Sequence, residues 1–148
     1  MAQSGALVAR VSQLKTKGKH RFVGVSCGMT HLIRPALYEA YHHIVNLSRF
    51  DAVYLRQGAA GLASDGNEAN HTFVSGAAAA ESSTALIVDV VGPICETGDF
   101  LGKARVFPAA TDEGDVVCID NTGAYGRVMA SEYNFRNAGP EIVFPSFD

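Results

Sequence analysis

Residues 85–92, ALIVDVVG, open a series of short β-branched runs that decides the fold class. ARVFP (104–108), DVVCIDNT (115–122), YGRVMAS (125–131) and EIVF (141–144) follow, divided by Gly92-Pro93, Glu113-Gly114 and the NAGP punctuation at 137–140. Runs of this length and spacing read as strands of an antiparallel β-sandwich or Greek-key barrel. Upstream, residues 6–14 (ALVARVSQL) alternate apolar and polar after Leu7, and residues 21–26 (RFVGVS) are β-branched and aromatic, so both read as further strands. The polar KTKGKH between them, centred on Gly18, suits a hairpin connection with its lysines in water. Residues 30–48 (THLIRPALYEAYHHIVNLS) predict one short helix: Pro35 fits a first helical position, and Leu37, Tyr41 and Ile44 recur at helical spacing. With no strand-helix-strand alternation, no parallel sheet is expected. The fold class is mainly β.

Residues 56–84 differ in kind. They hold eight Ala, four Gly and four Ser among 29 residues, with only Leu62, Phe73 and Val74 as bulky apolar groups. Such a segment buries too little to offset its ordering entropy and predicts a long mobile insertion.

The 148-residue chain is long enough for one domain that buries roughly two-thirds of its unfolded surface. Hydrophobic residues make up 47% and charged residues 18%, a low charged share that points to surface reserved for a partner. A net charge of -3 and the absence of any basic block beyond Lys15, Lys17 and Lys19 exclude the electrostatic footprint of a nucleic-acid binder. No apolar run approaches the 18 or so residues of a membrane span, and the N-terminus MAQSGALVAR lacks a signal's apolar core. Cys27, Cys95 and Cys118 cannot all pair within one chain and lack zinc-ligand spacing. A reduced, cytoplasmic protein without a metal site is expected. His20, His31, His42, His43 and His71 form no ligand set either.

Three segments concentrate Gly, Pro and reactive side chains: GMTHLIRPALY (28–38), GPICETGDF (92–100) and TGAYGRVMASEYN (122–134). In the first, Arg34 and Tyr38 share a helical face, where a guanidinium fork and a phenol suit a carboxylate, although the spacing alone favours an Arg that caps nothing and a Tyr packed in the core. In the second, the Cys95 thiol and Glu96 carboxylate stand side by side in a loop, suited to proton transfer or to an amine, although a lone cysteine is often a small buried hydrophobe. Cys27 and Cys118, flanked by strand residues, read as that. In the third, Tyr125 lies between Gly123 and Gly126, either beside a ligand that the backbone approaches closely or as the plug of a tight bend.

In order along the chain, SGALVARV, QLKTKG, GMTHLIRPALYEAYHHIVNLSR, DVVGPICETGDFLG, GDVVCIDNTGAYGRVMASEYNFR and PEIVF resemble the C-terminal sheet domain of diaminopimelate decarboxylases, apart from residues 56–84. Such enzymes use pyridoxal 5'-phosphate to release CO2 from meso-diaminopimelate and yield L-lysine; an N-terminal (β/α)8 barrel bears the cofactor lysine. The resemblance implies that residues 1–148 are the sheet domain and that the barrel lies outside this chain. By position, Arg34 and Tyr38 look like contacts to a substrate carboxylate, and Glu96 like the acceptor for the distal amino group. Cys95 looks like a proton donor delivered into a neighbouring subunit's site, and Tyr125 like a contact to cofactor phosphate and substrate. A homodimer, the barrel domain and a small amino-acid substrate are the implied partners. The chain departs from the family at Ser26-Cys27, where an Asp-Ala pair is usual, and in the length of its insertion. A binding or dimerisation module that has kept the sheet and lost the chemistry is the alternative.

Overall fold

The computed structural model describes residues 2–49 and 85–144, and the expected mobile insertion at 56–84 lies outside them. Six strands form one sheet in the order β3-β6-β1-β2-β4-β5: β1 Leu7–Lys17, β2 His20–Val25, β3 Ile44–Asn46, β4 Ala85–Val91, β5 Phe100–Pro108 and β6 Val116–Ile119. The edge strands β3 and β5 meet, with Ile44 lying against Gly102, so the sheet curls into a nearly closed barrel. Alternation puts Ala9 and Val11 of β1, Val23 and Val25 of β2, Val88 and Val90 of β4, and Val117 and Ile119 of β6 inside, with Leu101 and Phe107 of β5. Each such Val, Leu or Phe gains roughly 1.5–3 kcal/mol by leaving water. Beyond Val11 the inward alternation ends, and β1 and β2 continue as a solvated hairpin arm turned at Gly18, whose φ of +61° suits glycine.

Among the described residues the fold is mainly β with one short helix, as the sequence predicts, but its sheet is mixed. Four of the five neighbouring strand pairs are antiparallel, whereas Phe22–Gly24 of β2 run parallel to Asp89–Val91 of β4. A parallel pair needs a long crossover rather than a hairpin. Here the crossover carries α1 (Arg34–Tyr38) and β3, so no strand-helix-strand pattern announces it.

Three expected elements change. The helix starts with Pro35 in its first turn but stops after five residues, because Glu39 adopts a left-handed backbone (φ 55°). Leu37 and Tyr41 are exposed, so their helical spacing faces no core, and Ile44 belongs instead to buried β3, paired with Ile119. YGRVMAS is not a strand: Tyr125 has a φ of +60°, and Arg127–Met129 form a 3-10 turn. EIVF is not a strand either, and Ile142, Val143 and Phe144 are 74%, 83% and 76% exposed. Among the described residues no strand edge receives them.

At the β3–β6 end, the Asp115 carboxylate collects Asn46 Nδ2 (2.9 Å), the Asp112 N–H (3.0 Å) and Arg49 Nε (3.2 Å). Burial opposes its charge, but these donors outweigh burial and hold the carboxyl below its usual pKa. A depressed folded-state pKa stabilises the fold above the unfolded value of about 3.9, and that contribution fades as pH falls through the lower folded value. Urea unfolding of wild type and Asp115→Asn therefore shows the largest stability gap near neutral pH, shrinking below about pH 4; a gap that is flat or grows in acid would contradict the assignment.

Candidate active site

The loop after β4 turns on Asp99, a carboxylate only 3% exposed. Its Oδ1 accepts the Met29 N–H at 2.6 Å and its Oδ2 accepts the Ile94 N–H at 2.9 Å. Its backbone closes the same loop, with the C=O accepting the Gly92 N–H (2.9 Å) and the N–H donating to the Glu96 C=O (3.1 Å). Gly28 and Gly92 give the carboxylate its space, since a Cβ at either would fall on the Asp99 oxygens. One buried side chain thus joins the 28–38 segment to the 92–100 segment.

The third segment is tied in by backbone and side chain. Ser131 N–H donates to the C=O of buried Thr30 at 2.9 Å. Two residues on, the Tyr133 hydroxyl donates to Glu96 Oε1 at 2.6 Å. All three segments singled out in the sequence therefore converge beyond the ends of β2 and β4, which run side by side.

Within this cluster Cys95 and Glu96 are both exposed at the loop tip. The other thiols differ. Burial, aided by the Asp99 charge, pushes Cys27 up to about 12, and burial with the Asp120 charge pushes half-buried Cys118 up to about 11, so both stay protonated and inert. Arg34 and Tyr38 sit one turn apart on α1, where Tyr38 is exposed. Tyr125 is exposed too and holds a left-handed backbone, a conformation that costs a non-glycine residue of order 1–3 kcal/mol. Among the described residues no hydrogen bond links Arg34, Tyr38 or Tyr125 to Cys95 or Glu96, so a common loop framework relates them rather than direct contact. No cluster of three or more His, Cys, Asp or Glu side chains suited to a metal occurs among the described residues, and no described helix is long and apolar enough to cross a membrane.

The pyridoxal-dependent decarboxylase family, C-terminal sheet domain, matches residues 2–123. The chain belongs to this family. It is 38% identical over 143 residues to the diaminopimelate decarboxylase of Neisseria meningitidis serogroup A / serotype 4A, spanning 97% of this chain and 27% of that protein. The Haemophilus influenzae diaminopimelate decarboxylase is 38% identical over 142 residues, spanning 96% and 26%. A crystal structure of diaminopimelate decarboxylase superposes with a TM-score of 0.70 at 31% identity, covering 97% of this chain and 29% of that one. That of the M. jannaschii enzyme in co-complex with L-lysine gives 0.64 at 29%, covering 91% and 24%. The chain thus spans about a quarter of the length of these curated relatives.

Two residues of this decarboxylase domain, Asp99 and Tyr133, lie outside the candidates that the sequence offers. An Asp closing a Gly-rich loop is a common backbone acceptor, which was the available signal for Asp99; nothing in the spacing marks Tyr133 as the partner of Glu96. That hydrogen bond, and the Glu96 charge, raise the Tyr133 pKa above its ordinary 10, because ionisation would set phenolate against carboxylate. Subtracting the 295 nm titration of Tyr133→Phe from that of wild type isolates this phenol. In Glu96→Gln its midpoint moves down toward the ordinary tyrosine value; an unmoved midpoint would mean that the bond is not formed in solution.

Proposed function

We propose that the chain is the sheet domain of a diaminopimelate decarboxylase, which converts meso-diaminopimelate to L-lysine and CO2, and that its loop cluster completes a site whose cofactor lysine lies in a (β/α)8 barrel domain of the same protein. The observation that carries this reading is the convergence of the Cys95-Glu96 loop, the Arg34–Tyr38 helix approach and the Tyr133 segment on the buried Asp99 and Thr30. Relatives named diaminopimelate decarboxylase, one solved with L-lysine, support the choice of substrate.

The chain's residues fit part of a pyridoxal phosphate site. Its four lysines, Lys15, Lys17, Lys19 and Lys103, lie on the β1–β2 hairpin or on β5, with Lys103 over the Phe100 ring, and none belongs to the loop cluster. The attachment lysine is therefore assigned to the barrel, while the exposed Tyr125 phenol is free to donate to a phosphate oxygen and to substrate. Bound pyridoxal 5'-phosphate supplies the electron sink that lets the substrate carbon lose CO2.

This chain's own groups do the remaining work. The Arg34 fork pairs with a substrate carboxylate through two parallel charge-assisted bonds, seconded by the Tyr38 hydroxyl one turn away. Glu96 accepts from the distal ammonium and fixes which end of the substrate enters. Cys95 Sγ gives its proton to the carbon that has lost CO2, and the resulting thiolate regains a proton from solvent. The Cys95 loop serves the site of a second subunit, so the working unit is a homodimer. Alone, the chain is inactive, and borohydride treatment with added pyridoxal phosphate leaves no stoichiometric adduct at any one lysine.

In the full-length enzyme, Cys95→Ala lowers turnover by about a hundredfold to ten-thousandfold, the usual worth of a positioned acid, while cofactor binding persists. Mixing that variant with subunits lacking the barrel lysine tests the shared site. Each heterodimer gathers both lesions in one site and leaves the other whole, so two nearly inactive parents recover up to half the activity per heterodimer. A mixture that stays inactive despite proven subunit exchange would place Cys95 outside the partner's site.

A further inference from the structure

Tyr133 and Glu96 make a short hydrogen bond at a place where a bond contributes little to stability. The phenol is 50% exposed and the carboxylate is exposed, yet the hydroxyl lies 2.6 Å from Oε1. Water competes for both groups at such a site, so holding them together serves geometry more than folding. The backbone on both sides is set to make the contact. Ser131 is anchored on the C=O of buried Thr30, and the chain then turns through Asn134 (φ 59°) and Phe135 (φ 57°), two consecutive non-glycine residues in the left-handed region. Strained backbone of this kind persists where its surroundings over-determine it, and it gathers at functional sites. Glu96 in turn stands on the loop whose C=O is bonded by the Asp99 N–H.

We infer that Tyr133 is a positioning residue for Glu96: by occupying Oε1 it fixes the carboxylate rotamer and leaves Oε2 aimed at the distal ammonium of the substrate. The inference rests on the role proposed above for Glu96 and deepens it. Tyr133 itself does not touch the reacting carbon. Phenol and ammonium are both donors toward this carboxylate, and with Oε1 already taken by the Tyr133 hydroxyl the ammonium meets the open Oε2, so the phenol and the substrate take different oxygens of one carboxylate. A free Glu96 would instead rotate among several rotamers, and the substrate would have to select one.

The test is a double-mutant cycle in the full-length enzyme, with Tyr133→Phe, Glu96→Gln and their combination assayed on meso-diaminopimelate. Glu96→Gln raises KM about tenfold or more, as loss of a charge-assisted bond requires. Tyr133→Phe raises KM roughly three- to tenfold, with kcat within about twofold, the split expected when a binding contact is loosened and the proton donor is left alone. In the Glu96→Gln background, Tyr133→Phe adds less than about twofold, because the contact it orients is already gone. Multiplying KM effects, an unchanged KM in Tyr133→Phe or a fall in kcat alone would overturn the inference and leave the role of Glu96 standing. An unchanged KM in Glu96→Gln would overturn both. Tyr133→Leu repeats the measurement without an aromatic ring, and a KM effect matching that of Tyr133→Phe assigns it to the hydroxyl rather than to packing; an intact KM in the Phe variant with a raised one in the Leu variant would make Tyr133 a packing residue.

Discussion

The Asp99 carboxylate holds together the end of the molecule that carries the candidate site. It is nearly fully buried, and its oxygens take the N–H groups of Met29 and Ile94. A buried charge is costly unless it is hydrogen-bonded, and a buried N–H deprived of its acceptor costs about 1–3 kcal/mol. Replacing Asp99 by an apolar residue would leave both amides without their acceptor and release the 28–31 turn from the 92–99 loop. The turn leads directly into α1 and Arg34, and the loop carries Cys95 and Glu96. The two Gly residues against the carboxylate are part of the same constraint, because a methyl group at Gly28 or Gly92 would occupy its position.

The sheet explains why this end exists at all. β2 and β4 lie parallel, so the loops that leave their C-terminal ends emerge on one side of the barrel, and Asp99 can reach across from one to the other. An antiparallel pair would have sent them to opposite ends. At the β3–β6 side, the Asp115, Asn46 and Arg49 network pins the short strand β3 and the turn after it onto β6. β3 pairs with β6 over only three residues, and the network adds side-chain bonds to that short edge. The family to which the chain belongs is thus visible in its architecture as well as in its sequence.

Strands with a clear two-residue period, such as residues 7–11 and 116–119, could be read directly because one face of each meets the core and the other meets water or neighbouring loops. The KTKGKH hairpin was readable from Gly18 and its charges. Period alone misled at Ile44, where a helical spacing runs into a strand, because the left-handed Glu39 that stops the helix carries no sequence mark. It misled again at YGRVMAS and EIVF, whose β-branched residues promise strands while the chain gives them turns or open coil. The three chemistry-bearing segments stood out by their Gly, Pro and reactive side chains, but their convergence did not, since it depends on a parallel pairing across a long crossover and on one buried aspartate. The Tyr133–Glu96 contact was unreadable for the same reason: 37 residues separate the partners.

The most direct measurement is the product formed by the full-length enzyme containing this chain when it is offered meso-diaminopimelate, ornithine and arginine separately with pyridoxal phosphate. Stoichiometric release of CO2 and L-lysine from meso-diaminopimelate, with the other two amino acids left largely unreacted, is the predicted result. Preferential turnover of ornithine or arginine, or no decarboxylation by a folded, cofactor-loaded enzyme, would contradict it.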